Sequence, residues 1–337
     1  MLALSLGEHM RRRKFISLLS GAAAWPLAAR AQQRERMRRI AILMPYPKGD
    51  IEFEERVQEL RRELQRLGWE EGINVRFDER WTTDNMDAVR SSAASLVEWN
   101  PDAIVASGGR VVPILMQLTR SIPIIVPTAF DPVGTGWVKS LARPDGNVTG
   151  FTVFELSITG KMLEILKQIA PTIARVALVY NPDNPNSRLY REWFEKSASP
   201  LGIEPIVFPI HGLSDIDRAV LSFPNQQNAG IFFAPDVTIN SLRDQVIALV
   251  ARQHLPAIYS EAFFVNGGGL AFYGADRGDL YIRAAGYIDR ILRGEKPSDL
   301  PFQQATKFQL VINLKTAKAL GLELSPAVLA LTDEVIE

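Results

Sequence analysis

The chain has 337 residues and no cysteine. Disulfides, thiolate metal sites, cysteine nucleophiles and the lipidated cysteine of a bacterial lipoprotein are therefore excluded together. Histidine is almost as scarce, with three in the chain; His9 lies in the leader, and His211 and His254 fall in a loop and at a helix end. No Gly-x-Ser-x-Gly elbow, HExxH or other metal-spaced cluster occurs, and paired acids such as Asp215 and Asp217 read as helix-start charges. No catalytic residue, metal or cofactor is predicted. Nucleotide fingerprints are missing too: no GxGxxG follows the first predicted strand, and no GxxxxGK precedes a Ser or Thr. Excess positive charge is also lacking, since Lys and Arg total 38 against 38 Asp and Glu. Without clustered basic side chains to displace counterions, nucleic acid is not a predicted partner. Beyond the leader, no apolar run approaches the roughly twenty residues of a spanning helix, so the chain is read as not membrane-spanning.

What is present begins with an address. Arg11, Arg12, Arg13, Lys14 and Phe15 form a basic head, residues 16–29 an apolar run, and Ala29-Arg30-Ala31 a small-residue end. That order is a secretory signal peptide, and Arg12-Arg13-Lys14-Phe15-Ile16 resembles the twin-arginine export pattern. Met10, directly before the arginines, offers a second start. The mature chain is predicted to begin near Gln32, in the periplasm. Removing residues 1–31 takes away five of 38 basic and one of 38 acidic residues, leaving 33 against 37, a charge of about −4.

The remaining 300 or so residues, 47% apolar along the whole chain, suffice for two cores. Short β-branched runs alternate with helical patterns, the signature of parallel strands with crossover helices. Strands are predicted at 39–44, 74–81, 103–106 and 124–127, with helices at 51–67, 87–99 and 111–118 between them. A second series has strands at 175–180, 204–208, 230–233, 257–260 and 270–273, and helices at 158–169, 188–198, 215–221 and 241–253. The halves echo each other where Ser121-Ile122-Pro123-Ile124-Ile125 matches His254-Leu255-Pro256-Ala257-Ile258, each a helix end leading into a strand. Two similar α/β lobes follow. The turn-rich stretch 144–149 is expected to make the first crossing between them. The tail, with a helix at 280–292, a polar linker and a strand-helix unit at 309–320, can cross again. The expected division is 1–31 as signal, 38–150 plus 276–300 as lobe 1, and 151–275 plus 301–337 as lobe 2.

In a doubly wound sheet, the ligand crevice lies beyond the carboxyl ends of the strands. At those ends stand Tyr46; Ser107, Gly108, Gly109 and Arg110; Thr128, Phe130 and Asp131; Asn184, Asn186 and Ser187; Asp236; and Tyr259 with Glu261. Ser107-Gly108-Gly109 before a helix can offer backbone N–H groups to a carboxylate, and equally a tight strand-to-helix turn. Arg110 could clamp that carboxylate or stay solvated. Asp236 suits a ligand ammonium. Ser187 is explained as well by helix capping, and Tyr46, Phe130 and Tyr259 as stacking platforms or as core. Together these are parts for holding a small polar or zwitterionic molecule.

The leader, Gly146-Asn147-Val148-Thr149-Gly150, Asn181-Pro182-Asp183-Asn184-Pro185-Asn186, and the tail from Gly294-Glu295-Lys296-Pro297 through residues 306–321 resemble the ABC transporter substrate-binding proteins of the tryptophan-importer-like family. The resemblance implies a type I periplasmic binding fold: two Rossmann-like lobes with parallel sheets, joined by a three-segment hinge and enclosing ligand between them. It points to the Gly108-Gly109 loop, Asp131, residues 184–187, Asp236, Tyr259 and Glu261. The implied function is the periplasmic component of an ABC importer, a monomer closing on a small carboxylated solute such as an amino acid, with an ABC permease and its ATPase as partners. A periplasmic sensor on the same fold is the alternative. An exported α/β enzyme lacks a nucleophile and base, and a sugar-responsive transcription regulator would need a helix-turn-helix in place of the leader.

Overall fold

A strand that a helix covers on each side has no face for water, so its sequence is a near-continuous apolar run. Strand β1 (Arg38–Met44) ends in five buried residues, and β3 (Ala103–Ala106) and β8 (Ala229–Phe233) are buried throughout. Helices show the complementary pattern. In α1 (Ile51–Arg66) the buried residues are Phe53, Val57, Leu60 and Leu64, one stripe at helical spacing. The computed structural model describes residues 36–83, 85–153, 157–223 and 228–337. The predicted signal peptide at 1–31 lies outside them.

The first sheet holds six strands in the order β11-β5-β4-β3-β1-β2, with β2 at Val75–Trp81, β4 at Ile124–Ala129, β5 at Val148–Thr152 and β11 at Gln303–Gln304. The second holds seven, β13-β12-β10-β9-β8-β6-β7, with β6 at Arg175–Tyr180, β7 at Glu204–Pro209, β9 at Ala257–Tyr259, β10 at Ala271–Ala275, β12 at Phe308–Asn313 and β13 at Glu334–Ile336. Every pairing is parallel except β10 with β12. The molecule thus has two α/β lobes with mostly parallel sheets. In each, strand order reverses at the first strand, between β1 and β3 and between β6 and β8, which places a crevice at both switch points.

Three expectations are corrected. The turn at 144–149 does not leave the first lobe: it feeds β5, which pairs with β4, and the chain departs only after Thr152. Likewise β11 keeps residues 303–304 beside β5, so the chain passes over a few residues beyond the expected limits at 150 and 300. A short unexpected helix, α7 (Val237–Ser241), precedes the helix expected at 241–253, which forms as α8 (Arg243–Arg252), and the two meet at Leu242. Asp236 starts the first by accepting from Thr238 N, and the Leu242 amide turns back to Thr238 and Ile239. Strand β4 also continues past Pro127, because the ladder shifts register between Val126 and Ala129 where proline has no N–H to give.

The remaining helices are α2 (Met86–Glu98), α3 (Val111–Leu118), α4 (Ser157–Ile169), α5 (Ser187–Ala198), α6 (Leu213–Leu221), α9 (Ala262–Asn266), α10 (Arg277–Leu292), α11 (Leu314–Ala319) and α12 (Pro326–Ala330). After β10 the chain returns at Asp276, which caps α10 by accepting from Asp279 N; α10 then packs on α1 and β4 of the first lobe. It crosses a third time between β11 and β12. Among the described residues no helix is long and apolar enough to span a membrane.

Candidate functional site

The two switch points face each other, and the lobes meet there. Gly109, after β3, lies so close to the loop before α5 that a Cβ on it would sit 3.0 Å from Asn186 Nδ2 and 3.6 Å from Asn184 Oδ1. Phe130 of the first lobe meets Tyr190 of α5, with ring centroids 4.1 Å apart. Arg56 of α1 donates to Glu261 Oε2 at 2.9 Å, and Asp50, before α1, accepts from Arg243 of α8 at 2.6 Å. These contacts join opposite lobes, so the cleft is closed.

Inside it is a cavity walled by both lobes, with about 70 Å³ open to the centre of a water molecule. At roughly 10–15 Å³ for each water, that is space for about five to seven, the bulk of a small organic solute. A larger groove, about 800 Å³, runs past Ile169, His254 and Leu320 at the opposite ends of the second lobe's strands. It is remote from the switch points and carries none of the polar groups described below.

Most of the sequence-predicted residues are brought together. Tyr46, Ser107, Gly108, Gly109, Thr128, Phe130, Asn184, Asn186, Asp236 and Glu261 all line the cavity. Ser107 Oγ and Thr128 Oγ1 lie 3.4 Å apart at the ends of neighbouring strands β3 and β4. Gly108 has a φ of +91°, and a side chain there would also press on Pro45, which accounts for one glycine of the pair. Asp236, 5% exposed, accepts from Asn181 Nδ2 and Thr238 N on one oxygen and from Asn184 Nδ2 on the other.

Four predicted residues lie elsewhere. Arg110 instead borders an adjoining hollow of about 20 Å³, which shares Gly108, Gly109, Asn184 and Asp236 with the cavity. Asp131 accepts from Gly134 N at 2.8 Å and closes its own Asp-Pro-Val-Gly turn. Ser187 Oγ donates to the Asn181 carbonyl. Tyr259 is core: its ring stacks between Phe233 and Phe264, at 5.3 and 4.8 Å.

Sequence reasoning missed Phe53, Arg56, Tyr190, Asn240 and Arg277, which also line the cavity. Their signal was helical position: Phe53 and Arg56 are one turn apart at the start of α1, and Asn240 is one turn beyond Asp236. Phe53 stacks on Tyr46 at 3.3 Å and carries the Arg56 guanidinium 4.8 Å from its ring centre. Glu261, 2% exposed, is held between Arg56 and Arg277, whose Nε lies 3.0 Å from Oε1. Two guanidiniums about one carboxylate leave a unit of positive charge on that wall. Burial disfavours the Arg56 charge, but the Glu261 carboxylate, with Tyr281 and Tyr46, together more than offset it and raise its pKa. Burial, and secondarily Glu261, push the Tyr46 hydroxyl well above the usual tyrosine range; burial does the same for Tyr190. Both therefore face the cavity as neutral phenols.

Two polar atoms in this wall are unsatisfied. Asn186 Oδ1 and Asn240 Oδ1 are buried and have no hydrogen-bond partner among the described residues. Buried acceptors left unpaired cost about 1–3 kcal/mol each, so the wall is complementary to a donor. Among the described residues no group of three or more His, Asp or Glu side chains could hold a metal ion.

Known proteins share the fold. A structure from Vibrio cholerae, a conserved domain protein, superposes with a TM-score of 0.83 at 27% identity, covering 89% of this chain and 100% of that one. An ABC domain from Streptococcus pneumonia in complex with L-Trp superposes at 0.82 with 25% identity, over 89% and 100% of the two chains. A tyrosine-binding protein of Clostridioides difficile (strain R20291) is 28% identical over 261 residues, 77% of this chain and 74% of that one. The sequence profile of the ABC transporter substrate binding proteins matches residues 50–336, and it is to that family that the chain belongs.

Proposed function

We propose that this protein is the extracytoplasmic receptor of an ABC importer, a monomer that closes its lobes around a free amino acid and presents it to a membrane permease and its ATPase. The observation that carries the reading is the pair of unsatisfied amide oxygens, Asn186 Oδ1 and Asn240 Oδ1, in a cavity that also holds the Asp236 carboxylate. An ammonium has three N–H donors and a positive charge, and answers all three groups at once. A carboxylate on the same ligand is received by the Ser107 and Thr128 hydroxyls and by the positive wall of Arg56 and Arg277. Tyr46, Phe53, Phe130 and Tyr190 supply apolar surface for a side chain.

Ligand touching both lobes binds the closed form better than the open one, and that difference drives closure. The tyrosine-binding relative and the L-Trp complex support the amino-acid class, and the predicted leader supports export. No step of bond making is assigned to the chain. Calorimetry against the twenty amino acids and against sugars tests the reading: amino acids are expected to bind and sugars not. Binding that persists when the ligand's ammonium is acetylated would refute the assignment of the ammonium pole. Protein recovered from a periplasmic fraction is expected to begin near Gln32.

A further inference from the structure

The second lobe has a buried cluster of its own, built from α4, α5 and the strands β6, β8 and β9, with Met162, Leu166, Leu178, Phe194 and Phe232 among its members. One side chain of that cluster comes from the first lobe. Phe130, just past the end of β4, is 8% exposed and packs into the second lobe's core against Tyr190, with the ring planes inclined by 38°. Both rings also form cavity wall. Phe130 therefore does two things on closure: it plugs the second lobe and takes up space that the ligand would otherwise have.

We propose that Phe130 sets the size of the ligand side chain, so that this receptor takes an amino acid with an aliphatic side chain in preference to one with a phenol or indole. The inference rests on the amino-acid reading above and narrows it. With Phe130 seated, the space left amounts to about five to seven waters, or about 150–200 Å³ at about 30 Å³ each. The amino and carboxyl groups must share it with the side chain. Shortening Phe130 removes the ring that fills the end of the cavity at Tyr190, while the polar groups of Ser107, Asn186, Asp236 and Asn240 stay in place.

The test is calorimetric titration of the wild-type protein, Phe130→Leu and Phe130→Ala with L-valine, L-leucine, L-phenylalanine and L-tryptophan. The leucine substitution keeps the position apolar and half filled, which guards against a collapse of the second lobe's core in the alanine variant; circular dichroism confirms that each variant is folded. The wild type is expected to favour valine or leucine. In the variants the preference is expected to move toward phenylalanine and tryptophan by tenfold or more, and further in Phe130→Ala than in Phe130→Leu. A wild type that binds tryptophan best, or a ranking that stays the same in both variants, overturns the proposal and leaves the receptor reading intact. Failure of every variant and of the wild type to bind any amino acid overturns both.

Discussion

Changing Asp50 to Asn should weaken ligand binding although Asp50 touches no part of the cavity. Its carboxylate, with a side chain 4% exposed, sits at the start of α1 in the first lobe and accepts from Arg243 of the second at 2.6 Å. Arg243 is further held with its guanidinium 5.4 Å from the Phe263 ring centre. When the lobes part, both groups return to water, so the pair contributes to the closed form alone. A buried charge-assisted hydrogen bond contributes about 1.5–3 kcal/mol. At about 1.4 kcal/mol per decade, its loss shifts the closing equilibrium, and with it the apparent affinity, by about 10- to 150-fold. Asp50 makes no side-chain cap to α1, and Asn is as good a residue at a helix start, so thermal stability should change little. Arg243→Gln leaves the carboxylate without its partner and should cost at least as much, and the double variant should be no worse than the singles, since one interaction cannot be lost twice. Calorimetry gives the affinities and small-angle scattering the lobe separation. Unaltered affinity with an unaltered scattering profile in ligand-free Asp50→Asn would refute the claim that this pair holds the lobes together.

A wedge should act in the same direction from the other rim. Gly109→Val places methyl groups where the nearest atom is already 3.0 Å from a Cβ, at Asn186 Nδ2; overpacking of about 1–3 kcal/mol falls on the closed form, so affinity measured by calorimetry drops while the melting temperature of the ligand-free protein holds. Alkaline pH should unfold the protein through its tyrosines. Burial raises the pKa of Tyr46, Tyr190, Tyr259 and Tyr281, whereas the unfolded chain releases those protons near pH 10. Above that pH the folded state binds more protons than the unfolded one, and stability falls as pH rises. Phenolate absorbance should accordingly appear together with loss of circular dichroism rather than before it.

The alternation that defines both sheets was legible because strands covered on two sides and helices covered on one leave different periods in the sequence; β3, α3 and β6 have the predicted bounds. Strand ends were legible as well, and with them Ser107, Gly109, Asn186 and Asp236. Pairing across the cleft was not. Arg56 and Glu261 are separated by 205 residues, and nothing local in α1 marks one arginine among several as the partner of an acid in the other lobe. Asp131 and Tyr259 show the converse. Each stands at a strand end where ligand contacts are common, but Asp131 has Gly134 three residues on to complete a turn, and Tyr259 has two aromatic neighbours, Phe233 on β8 and Phe264 on α9, that only the fold brings to it. The early exit expected at 144–149 followed from turn composition, which signals a reversal of direction without saying which sheet receives the next strand.

The three crossings give the molecule a mechanical property that no one of them would have. A single connection lets two bodies swivel and slide; Asp276 between β10 and α10, the link from β11 to β12, and the passage after β5 together leave chiefly one rotational coordinate. Motion along that coordinate brings Asp50 to Arg243 and Arg56 to Glu261 in the same stroke. Intermediate apertures then gain little from either pair, and the molecule behaves as a two-position device, either shut or agape.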